Sequence, residues 1–457
     1  MNQADYSRKI CGLVMLLWFL SPLARAAEIP AKDRMVVLIS IDGFPAWLWA
    51  DPTLPIPTLR RLAAEGAEAK SMKVSNPAIT WINHTTLVTG VEPAKHGVLF
   101  NGLLVRQGAG RAPKIEQWAE KGRMVRVPTV YDVAHQAGLT SAQVDWVAVT
   151  NSGTINWEFH EIPNPRGEIP LELVGQGVLT QTQLEGYSTN GSSITWRDMV
   201  WAKAASHIIK TRRPNLLLFH PLTTDSVNHR YGPGTLASFT AYAYADRLVA
   251  ELLEALDEAG LKDKATVILT TDHGFKEVKK LILPNVALRQ AGLVRAAGPT
   301  VGGADAYVMA QGGMAFVYVT DPTKREELLP RLKEMLGSLE GVDRVVEPKD
   351  YGALGMPTPE ANDGAGELAL FAKTGYAFQS AVVGEQVIQD SVVYLGTHGY
   401  PNSDPQMDGI FVAWGYGIKA GSKIDRMANL DVAPTIAELL GVKIPNADGR
   451  VLRELLK

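Results

Sequence analysis

The stretch that decides the fold is residues 35–43, MVVLISIDG. Its apolar, mostly β-branched residues run without interruption to an aspartate and a glycine, a pattern typical of a strand buried on both faces of a parallel sheet. Similar apolar runs occur at residues 216–219 and 266–270. An aspartate follows each of the three runs: Asp42, Asp225 and Asp272. Because parallel strands end at one edge of a sheet, we expect these aspartates to lie together there.

Helical segments are expected between the strands. Residues 57–65 begin with a proline and are followed by Gly66, and the long stretch 239–259 is followed by Gly260. Proline at the start and glycine after the end are the usual boundaries of a helix. The alternation predicts an α/β fold with a doubly wound sheet sandwiched by helices.

Two stretches do not follow this alternation. They are residues 103–197, which are rich in Gly, Pro, Thr and Trp, and about 275–395. We interpret the second as an inserted α+β cap, because His398 directly after it rejoins the predicted core.

The N-terminus has the pattern of a signal peptide. Arg8 and Lys9 precede an apolar run at residues 10–20, and residues 24–26, Ala-Arg-Ala, form a small-x-small cleavage pattern. The run is short for a membrane span. We therefore expect residues 1–26 to be removed as a signal peptide. The mature protein is then expected to be periplasmic or secreted and to have no stable membrane span.

The composition narrows the functional classes. The chain has 457 residues, of which 46% are hydrophobic and 20% charged, as in ordinary globular proteins. Its net charge is −3, so no basic surface for duplex nucleic acid is indicated. Cys11, the only cysteine, lies in the predicted signal peptide, and the mature chain needs no disulfide.

Three short motifs combine histidine with positions suited to metal binding. Asp225 precedes His229 by four residues, Asp272 is followed directly by His273, and His398 is followed by a glycine. Mixed sets of carboxylates and imidazoles are typical zinc ligands. One such motif alone is better read as a buried structural histidine, but all three together indicate a metal site. Gly274 is expected to end the strand, so that Asp272 and His273 can point to one ion.

The motifs occur in an order that resembles the nucleotide pyrophosphatase/phosphodiesterase family of the alkaline phosphatase superfamily. They are IDG (41–43), TWINH (80–84), TLVTG (86–90), EPAKHG (92–97), DSVNHRYGP (225–233), TDHG (271–274), THGY (397–400), DVAPT (431–435) and LLG (439–441). The resemblance covers nearly the whole mature chain. It implies that residues 28–457 form a single alkaline-phosphatase-like catalytic domain that carries the cap.

The resemblance also implies roles for individual residues. Two zinc ions are expected, with Thr80 as the nucleophile that forms a phospho-threonine intermediate. The first ion would be bound by Asp225, His229 and His398. The second would be bound by Asp42, Asp272, His273 and the Thr80 oxygen. Asn101 lies where the family has an asparagine that hydrogen-bonds a phosphate oxygen, and His84 and His96 are expected to make structural hydrogen bonds.

The chain departs from the family after the nucleophile, where Trp81-Ile82 replaces the usual Phe-Pro. The indole of Trp81 offers a flat stacking surface for a substrate such as a nucleotide. An equally good interpretation is that Trp81 is a hydrophobic lid without a recognition role.

Four functional hypotheses follow. The first is a two-zinc hydrolase of phosphate diesters or pyrophosphates, acting on a small ester such as a nucleotide. The second is a phosphomonoesterase or phosphonate hydrolase with the same site, which needs extra cations; the candidates are Arg106, Arg111, Lys114 and Arg123. A sulfatase is disfavoured because residues 80–84 lack the Cys/Ser-x-Pro-x-Arg motif. A non-catalytic metal-dependent binding protein is disfavoured because no nucleophile or ligand is missing.

Overall fold

The computed structural model describes residues 29–188 and 192–457. The signal peptide predicted at residues 1–26 lies outside the described residues. The strands are β1 Met35–Ser40, β2 Ala67–Lys73, β3 Leu103–Val105, β4 Lys114–Glu116, β5 Ser141–Val144, β6 Trp157–Phe159, β7 Leu216–Phe219, β8 Ala265–Thr270, β9 Lys276–Ile282, β10 Val294–Ala297, β11 Thr300–Ala304, β12 Ala306–Gln311, β13 Met314–Val319, β14 Val342–Val346, β15 Leu368–Ala372, β16 Gly375–Phe378, β17 Ile388–Asp390, β18 Gly396–Thr397, β19 Gly409–Gly415 and β20 Ser422–Ala428. The α-helices are α1 Ala46–Trp49, α2 Pro57–Glu65, α3 Thr80–Thr89, α4 Pro93–His96, α5 Lys121–Met124, α6 Val130–Gln136, α7 Glu168–Gly175, α8 Gln181–Glu185, α9 Ile194–Thr211, α10 Thr223–Tyr231, α11 Leu236–Glu258, α12 Pro284–Gln290, α13 Arg325–Gly337 and α14 Val432–Leu440.

An eight-stranded sheet forms the centre of the fold, in the order β20-β2-β19-β8-β1-β7-β5-β6. Strand β1 pairs in parallel with β7 on one side and with β8 on the other. Only β19 runs antiparallel to its neighbours in this sheet, β8 and β2. The three predicted strands are therefore adjacent, and their carboxyl ends meet at one edge.

Helices cover both faces of the central sheet. On β1, Val36 and Leu38 pack into a core shared with α3, α6 and α14, whereas Val37 and Ile39 pack into a core shared with α2, α9 and α11. Because successive side chains of a strand point to opposite faces, one uninterrupted apolar run supplies both cores. The predicted doubly wound α/β sandwich is confirmed.

The observed helix boundaries follow local sequence signals. Helix α2 matches residues 57–65, and its end is set by Gly66. Helix α11 begins three residues before the predicted start, because the Thr235 side chain caps it by accepting a hydrogen bond from the Ser238 N–H at 3.2 Å.

The stretch 103–197 contributes to the central sheet, which its composition did not indicate. Its strands β5 and β6 pair in parallel with each other, and β5 pairs with β7. Both strands are short, with four and three residues, so their periodicity is too brief to recognise in the sequence.

Residues 276–390 fold into small sheets of their own. Strands β12, β13, β15 and β14 form an antiparallel sheet that contacts α12 and α13. Strand β9 pairs with β16 and β17, and also with β18, which returns the chain to His398. Phe316 and Phe371 on the first sheet pack against Leu99 and Phe100. This part of the chain therefore borders the segment that carries Asn101.

In the ranges that the structure describes, no helix is both long and apolar enough to cross a membrane.

We predict that Leu38→Ala destabilises the protein by about 2–5 kcal/mol, because Leu38 is fully buried in the central strand and its removal leaves a cavity. Chemical denaturation followed by circular dichroism measures this free energy of unfolding. The control is Leu236→Ala, since the Leu236 side chain is 87% exposed. Equal stability of the two variants would contradict the assignment of β1 to the centre of the core.

Candidate metal centre and nucleophile

The predicted carboxylates converge at the carboxyl edge of three adjacent strands. Asp42 follows β1, Asp272 follows β8, and Asp225 lies in the first turn of α10, shortly after β7. Asp42 and Asp272 are fully buried, and Asp225 is partly buried. The convergence that the strand pattern predicted is therefore present.

Each of the three candidate histidine ligands donates its Nδ1–H to a backbone carbonyl. These hydrogen bonds join His229 to Gly396 O at 2.8 Å, His273 to Gly274 O at 3.1 Å and His398 to Ala78 O at 2.8 Å. Metal-binding histidines commonly use the second ring nitrogen in this way, which fixes the tautomer and the ring orientation. In all three residues the Nε2 atom faces the carboxylates.

Electrostatics support neutral rings at two of these positions. Burial lowers the pKa of His273 to about 3. Burial and the neighbouring His273 and His229 rings hold the pKa of His398 well below its ordinary value. At His229 burial alone would lower the pKa, but the adjacent Asp225 carboxylate raises it above the ordinary value. A neutral ring with its proton on Nδ1 leaves a lone pair on Nε2, which is the form that binds metals.

Two groups of donor atoms are close enough to bind ions. One group consists of Asp42, Asp272 and His273, and the other of Asp225, His273 and His398; within each group the donor atoms lie within 4.8 Å of one another. The His229 Nε2 lies 3.2 Å from Asp225 Oδ1. The second group thus contains His273 where the predicted set has His229. The rings of His273 and His398 stack with centroids 3.6 Å apart, which places His273 between the two groups.

The carboxylates present oxygens that nothing in the described chain satisfies. Asp42 Oδ1, Asp225 Oδ1 and Asp272 Oδ2 are buried and accept no hydrogen bond. Two of them face His273 Nε2, at 3.3 Å from Asp42 and 3.2 Å from Asp272. Buried carboxylate oxygens without donors are costly. This donor set therefore fits divalent cations, and zinc suits its mixture of oxygen and nitrogen.

The charges of the aspartates respond to this crowding. Burial, together with the nearby Asp272 and Asp225 carboxylates, raises the pKa of Asp42 well above its ordinary value. For Asp225, burial acts in the same direction, but the adjacent His229 outweighs it and lowers the pKa. Positive charge between the carboxylates would relieve their mutual repulsion.

Thr80 is the first residue of α3 and lies beside the donor groups. Its hydroxyl oxygen is 3.4 Å from His273 Nε2. Because the His273 proton is on Nδ1, the Thr80 hydroxyl donates in this contact. His84, one turn along the helix, donates to the Thr80 carbonyl at 2.8 Å and holds the first turn in place. The nucleophile proposed from the sequence therefore contacts the residue that the two donor groups share.

Asn101 and Trp81 are also close to the start of α3. Asn101 Oδ1 accepts a hydrogen bond from the Trp81 backbone N–H at 3.0 Å, which fixes the orientation of its amide. The Trp81 ring packs in an apolar cluster with Ile82 and Val98, and its centroid is 5.7 Å from that of Trp118. The recognition role of Trp81 stays a prediction.

Sequence reasoning missed His220 and Asp145. The Nδ1–H of His220 donates to the Asp145 carbonyl at 3.0 Å, and its Nε2 shares a hydrogen bond with Asp42 Oδ2 at 2.9 Å. His220 directly follows β7, so its position after a buried strand was an available signal.

Gly274 has a different role from the one expected. A Cβ atom at position 274 would lie 2.0 Å from the Gln406 carbonyl oxygen. The backbone N–H of Gly274 donates to Met407 O at 2.9 Å. Strand β8 already ends at Thr270, before Asp272, so glycine at position 274 is required by the close approach of the segment around Gln406 and not by the end of the strand.

A comparison with protein families and curated proteins agrees with these features. A family model described as type I phosphodiesterase / nucleotide pyrophosphatase matches residues 36–401. Venom phosphodiesterase 2 of Crotalus adamanteus is 23% identical over 437 residues, which cover 92% of this chain and 47% of the relative. Ectonucleotide pyrophosphatase/phosphodiesterase family member 7 of Homo sapiens is 24% identical over 463 residues, which cover 97% of this chain and 88% of the relative. The chain spans about half the length of the venom relatives.

Solved structures show the same fold. Human ectonucleotide pyrophosphatase / phosphodiesterase 5 superposes with a TM-score of 0.70 at 18% identity, covering 93% of this chain and 100% of that chain. The murine protein, as an inactive variant in complex with AMP, has a TM-score of 0.70 at 16% identity with the same coverage. This likeness shows the alkaline-phosphatase-like fold that the motifs predicted.

We predict that Gly274→Ala destabilises the folded protein by about 1–3 kcal/mol, the usual cost of forcing extra atoms into a packed site. Thermal unfolding checks this. Gly175→Ala is the control, because a side chain there meets nothing within 4 Å. If the Gly274 variant melts at the same temperature as the control, the close approach of Gln406 does not require glycine at position 274.

Proposed function

Because this chain belongs to the type I phosphodiesterase / nucleotide pyrophosphatase family, we propose that it is a two-zinc hydrolase of phosphate diesters or pyrophosphates with Thr80 as nucleophile. The observation that carries the proposal is the contact between the Thr80 hydroxyl and His273 Nε2, inside a cluster of buried carboxylates with unsatisfied oxygens.

The residues that would hold the ions are those of the sequence prediction. Asp42, Asp272, His273 and the Thr80 oxygen would bind one ion, and Asp225, His229 and His398 the other. The bound ions supply positive charge that lowers the pKa of the Thr80 hydroxyl and stabilises the leaving oxygen.

The chain itself determines the geometry of attack. Thr80 begins a ten-residue helix whose N-cap residue, Ile79, makes no side-chain cap. Because the N-terminus of a helix favours anions, a phosphoryl group beside Thr80 is stabilised there. Attack by Thr80 Oγ1 on phosphorus, with departure of the leaving oxygen, gives a phospho-threonine that water then hydrolyses.

Asn101 is positioned to assist the transferred phosphoryl group. Its oxygen is engaged by the Trp81 N–H, so its amide N–H groups are the free hydrogen-bonding end. We assign them to a non-bridging phosphoryl oxygen, where a donor stabilises negative charge in the transition state.

The surroundings of the site favour a diester over a monoester. A monoester carries an additional negative charge, yet the candidate cations are engaged elsewhere. Arg106 pairs with Glu367 at 2.9 Å, and Lys114 and Arg123 both pair with Glu116, at 3.2 and 2.9 Å. Arg111 lines a separate small cavity beside Tyr318.

A cavity of about 380 Å³ beside His229 and His398 has room for the organic part of a substrate. None of the described residues that line it is Lys, Arg, Asp or Glu. Its walls carry both apolar and neutral polar side chains, among them Phe100, Ile115, Met309, Gln311, Phe378, Gln379 and Ser380. A neutral wall of this kind suits a nucleoside, and the AMP bound by the murine structural relative supports a nucleotide substrate.

We also propose export to the periplasm or the exterior. The N-terminal pattern Arg8-Lys9, apolar run and Ala-Arg-Ala supports it, as does a mature chain without cysteine.

We predict that Thr80→Ala lowers turnover of bis(p-nitrophenyl) phosphate by at least about 1,000-fold, because the attacking oxygen is lost. Thr80→Ser should retain part of the activity. Thr89→Ala, a buried threonine on the same helix that bonds only to the backbone of Thr85, is the stability control. Chelation should abolish wild-type turnover and zinc should restore it. Undiminished activity of Thr80→Ala would exclude it as the nucleophile.

We predict that kcat/KM for a diester exceeds that for the matching monoester by about 10–100-fold. This factor corresponds to the roughly 1.5–3 kcal/mol that a missing charged hydrogen-bond partner would have contributed. The measurement compares bis(p-nitrophenyl) phosphate, p-nitrophenyl phosphate, a dinucleotide with a pyrophosphate link and a phosphocholine ester on zinc-loaded protein. A higher kcat/KM for the monoester would favour the phosphomonoesterase hypothesis instead.

A further inference from the structure

Asp42 has two carboxylate oxygens with different surroundings. Oδ1 accepts no hydrogen bond and lies 3.3 Å from His273 Nε2, on the side of the donor group. Oδ2 shares a hydrogen bond with His220 Nε2 at 2.9 Å. One oxygen is thus held by an imidazole, and the other is left available.

His220 is itself held at its far end. Its Nδ1–H donates to the Asp145 carbonyl at 3.0 Å, and the same nitrogen lies 3.6 Å from Asp145 Oδ2. Asp42, His220 and Asp145 follow the adjacent strands β1, β7 and β5, so one sheet edge presents a continuous carboxylate, imidazole and carboxylate.

Asp145 has an unfavourable conformation and environment. Its backbone is in the left-handed region with φ of 59°, and its side chain is 1% exposed. Neither carboxylate oxygen has a hydrogen-bond partner among the described residues. Strained, unsatisfied buried residues concentrate at functional sites, and the ring nitrogen of His220 is the group that Asp145 faces.

Aromatic rings pack around the His220 ring. Its centroid lies 4.1 Å from that of His84 and 6.5 Å from that of Trp146. His84 is in turn fixed by its hydrogen bond to the Thr80 carbonyl and by edge contact with Trp146 at 4.7 Å. The His220 ring therefore connects Asp145 with Asp42.

We propose that His220, supported by Asp145, is a positioning residue for Asp42. It occupies Oδ2, fixes the rotamer of the side chain, and directs Oδ1 to the ion that Asp42, Asp272 and His273 bind. This inference rests on the proposed function, because it assigns a task to the zinc site.

The test compares zinc affinities by chelator competition in His220→Ala, His220→Gln, Asp145→Asn and the double variant His220→Ala/Asp145→Asn. Glutamine keeps an N–H donor near the position of Nε2, and asparagine keeps the shape of Asp145 and tolerates positive φ. His207→Ala is the control. His207 is a buried histidine outside the site, and its Nε2 lies 2.5 Å from Glu172 Oε2.

We expect His220→Ala to weaken one of the two zinc-binding steps by about 10–100-fold, the usual effect of removing a residue that orients a metal ligand. The second step, and both steps in the His207 variant, stay unchanged. His220→Gln recovers part of the lost affinity. Asp145→Asn weakens the same step, and the double variant is no worse than His220→Ala, because Asp145 acts through His220.

Two outcomes would overturn the inference while leaving the proposed function in place. They are unchanged zinc affinity in all four variants, or losses at Asp145 and His220 that add independently. If His220→Ala does not fold, His220→Gln and Asp145→Asn carry the same comparison. Wild-type protein that binds no zinc would overturn both the inference and the proposed function.

Discussion

The structure depends on three carboxylates that meet in a space with little access to water. Asp42, Asp225 and Asp272 each have a buried oxygen without a hydrogen-bond partner among the described residues, and these oxygens belong to two donor groups that share His273. Like charges repel strongly where water is excluded, and either a proton on one carboxyl or positive charge between them relieves this repulsion. The effect is seen at Asp42, whose pKa is raised by burial and by the charges of the other two carboxylates.

The imidazoles show how the fold prepares for that charge. Their Nδ1 atoms all donate to main-chain carbonyls, so the three Nε2 atoms point toward the carboxylates. The carbonyls belong to Ala78, Gly274 and Gly396, which are far apart in the chain. A change in the path of residues 396–398 would therefore move both the carbonyl that holds His229 and the His398 ring itself. Such preorganisation reduces the reorganisation that accompanies metal binding.

In our proposal, phosphoryl transfer and substrate choice depend on different parts of the chain. Most of the donor residues and Thr80 lie at the carboxyl edge of the central sheet or on α3 and α10. His398 instead follows β18, and Met309, Ala310, Gln311 and Phe378 of β12 and β16 line the cavity. Loops and insertions tolerate sequence change better than the buried sheet. In our proposal the neutral wall explains why a diester with an uncharged organic group suits this site, and its residues rather than the metal ligands would distinguish one diester from another.

Several features of the protein are already determined by its sequence. The apolar runs ending at Asp42 and before Asp272 specify buried parallel strands through short-range periodicity, and the spacing of Asp225 and His229 places both on one helix face. The residue types of the site follow from the same local patterns. The sequence could therefore predict that aspartate and histidine side chains are the candidate metal ligands.

Tertiary structure decided the rest, because it depends on contacts between distant segments. Sequence did not show that β5 and β6 extend the central sheet, that β19 runs antiparallel, or that Gly274 is required by the approach of Gln406. It also did not show that His273 belongs to both donor groups, or that His220 lies within hydrogen-bond distance of Asp42 and Asp145. Each of these facts joins residues that are brought together only when the sheet and its helices pack. The sequence determined which side chains could bind a metal, whereas packing decided which oxygen or nitrogen of each one faces the centre.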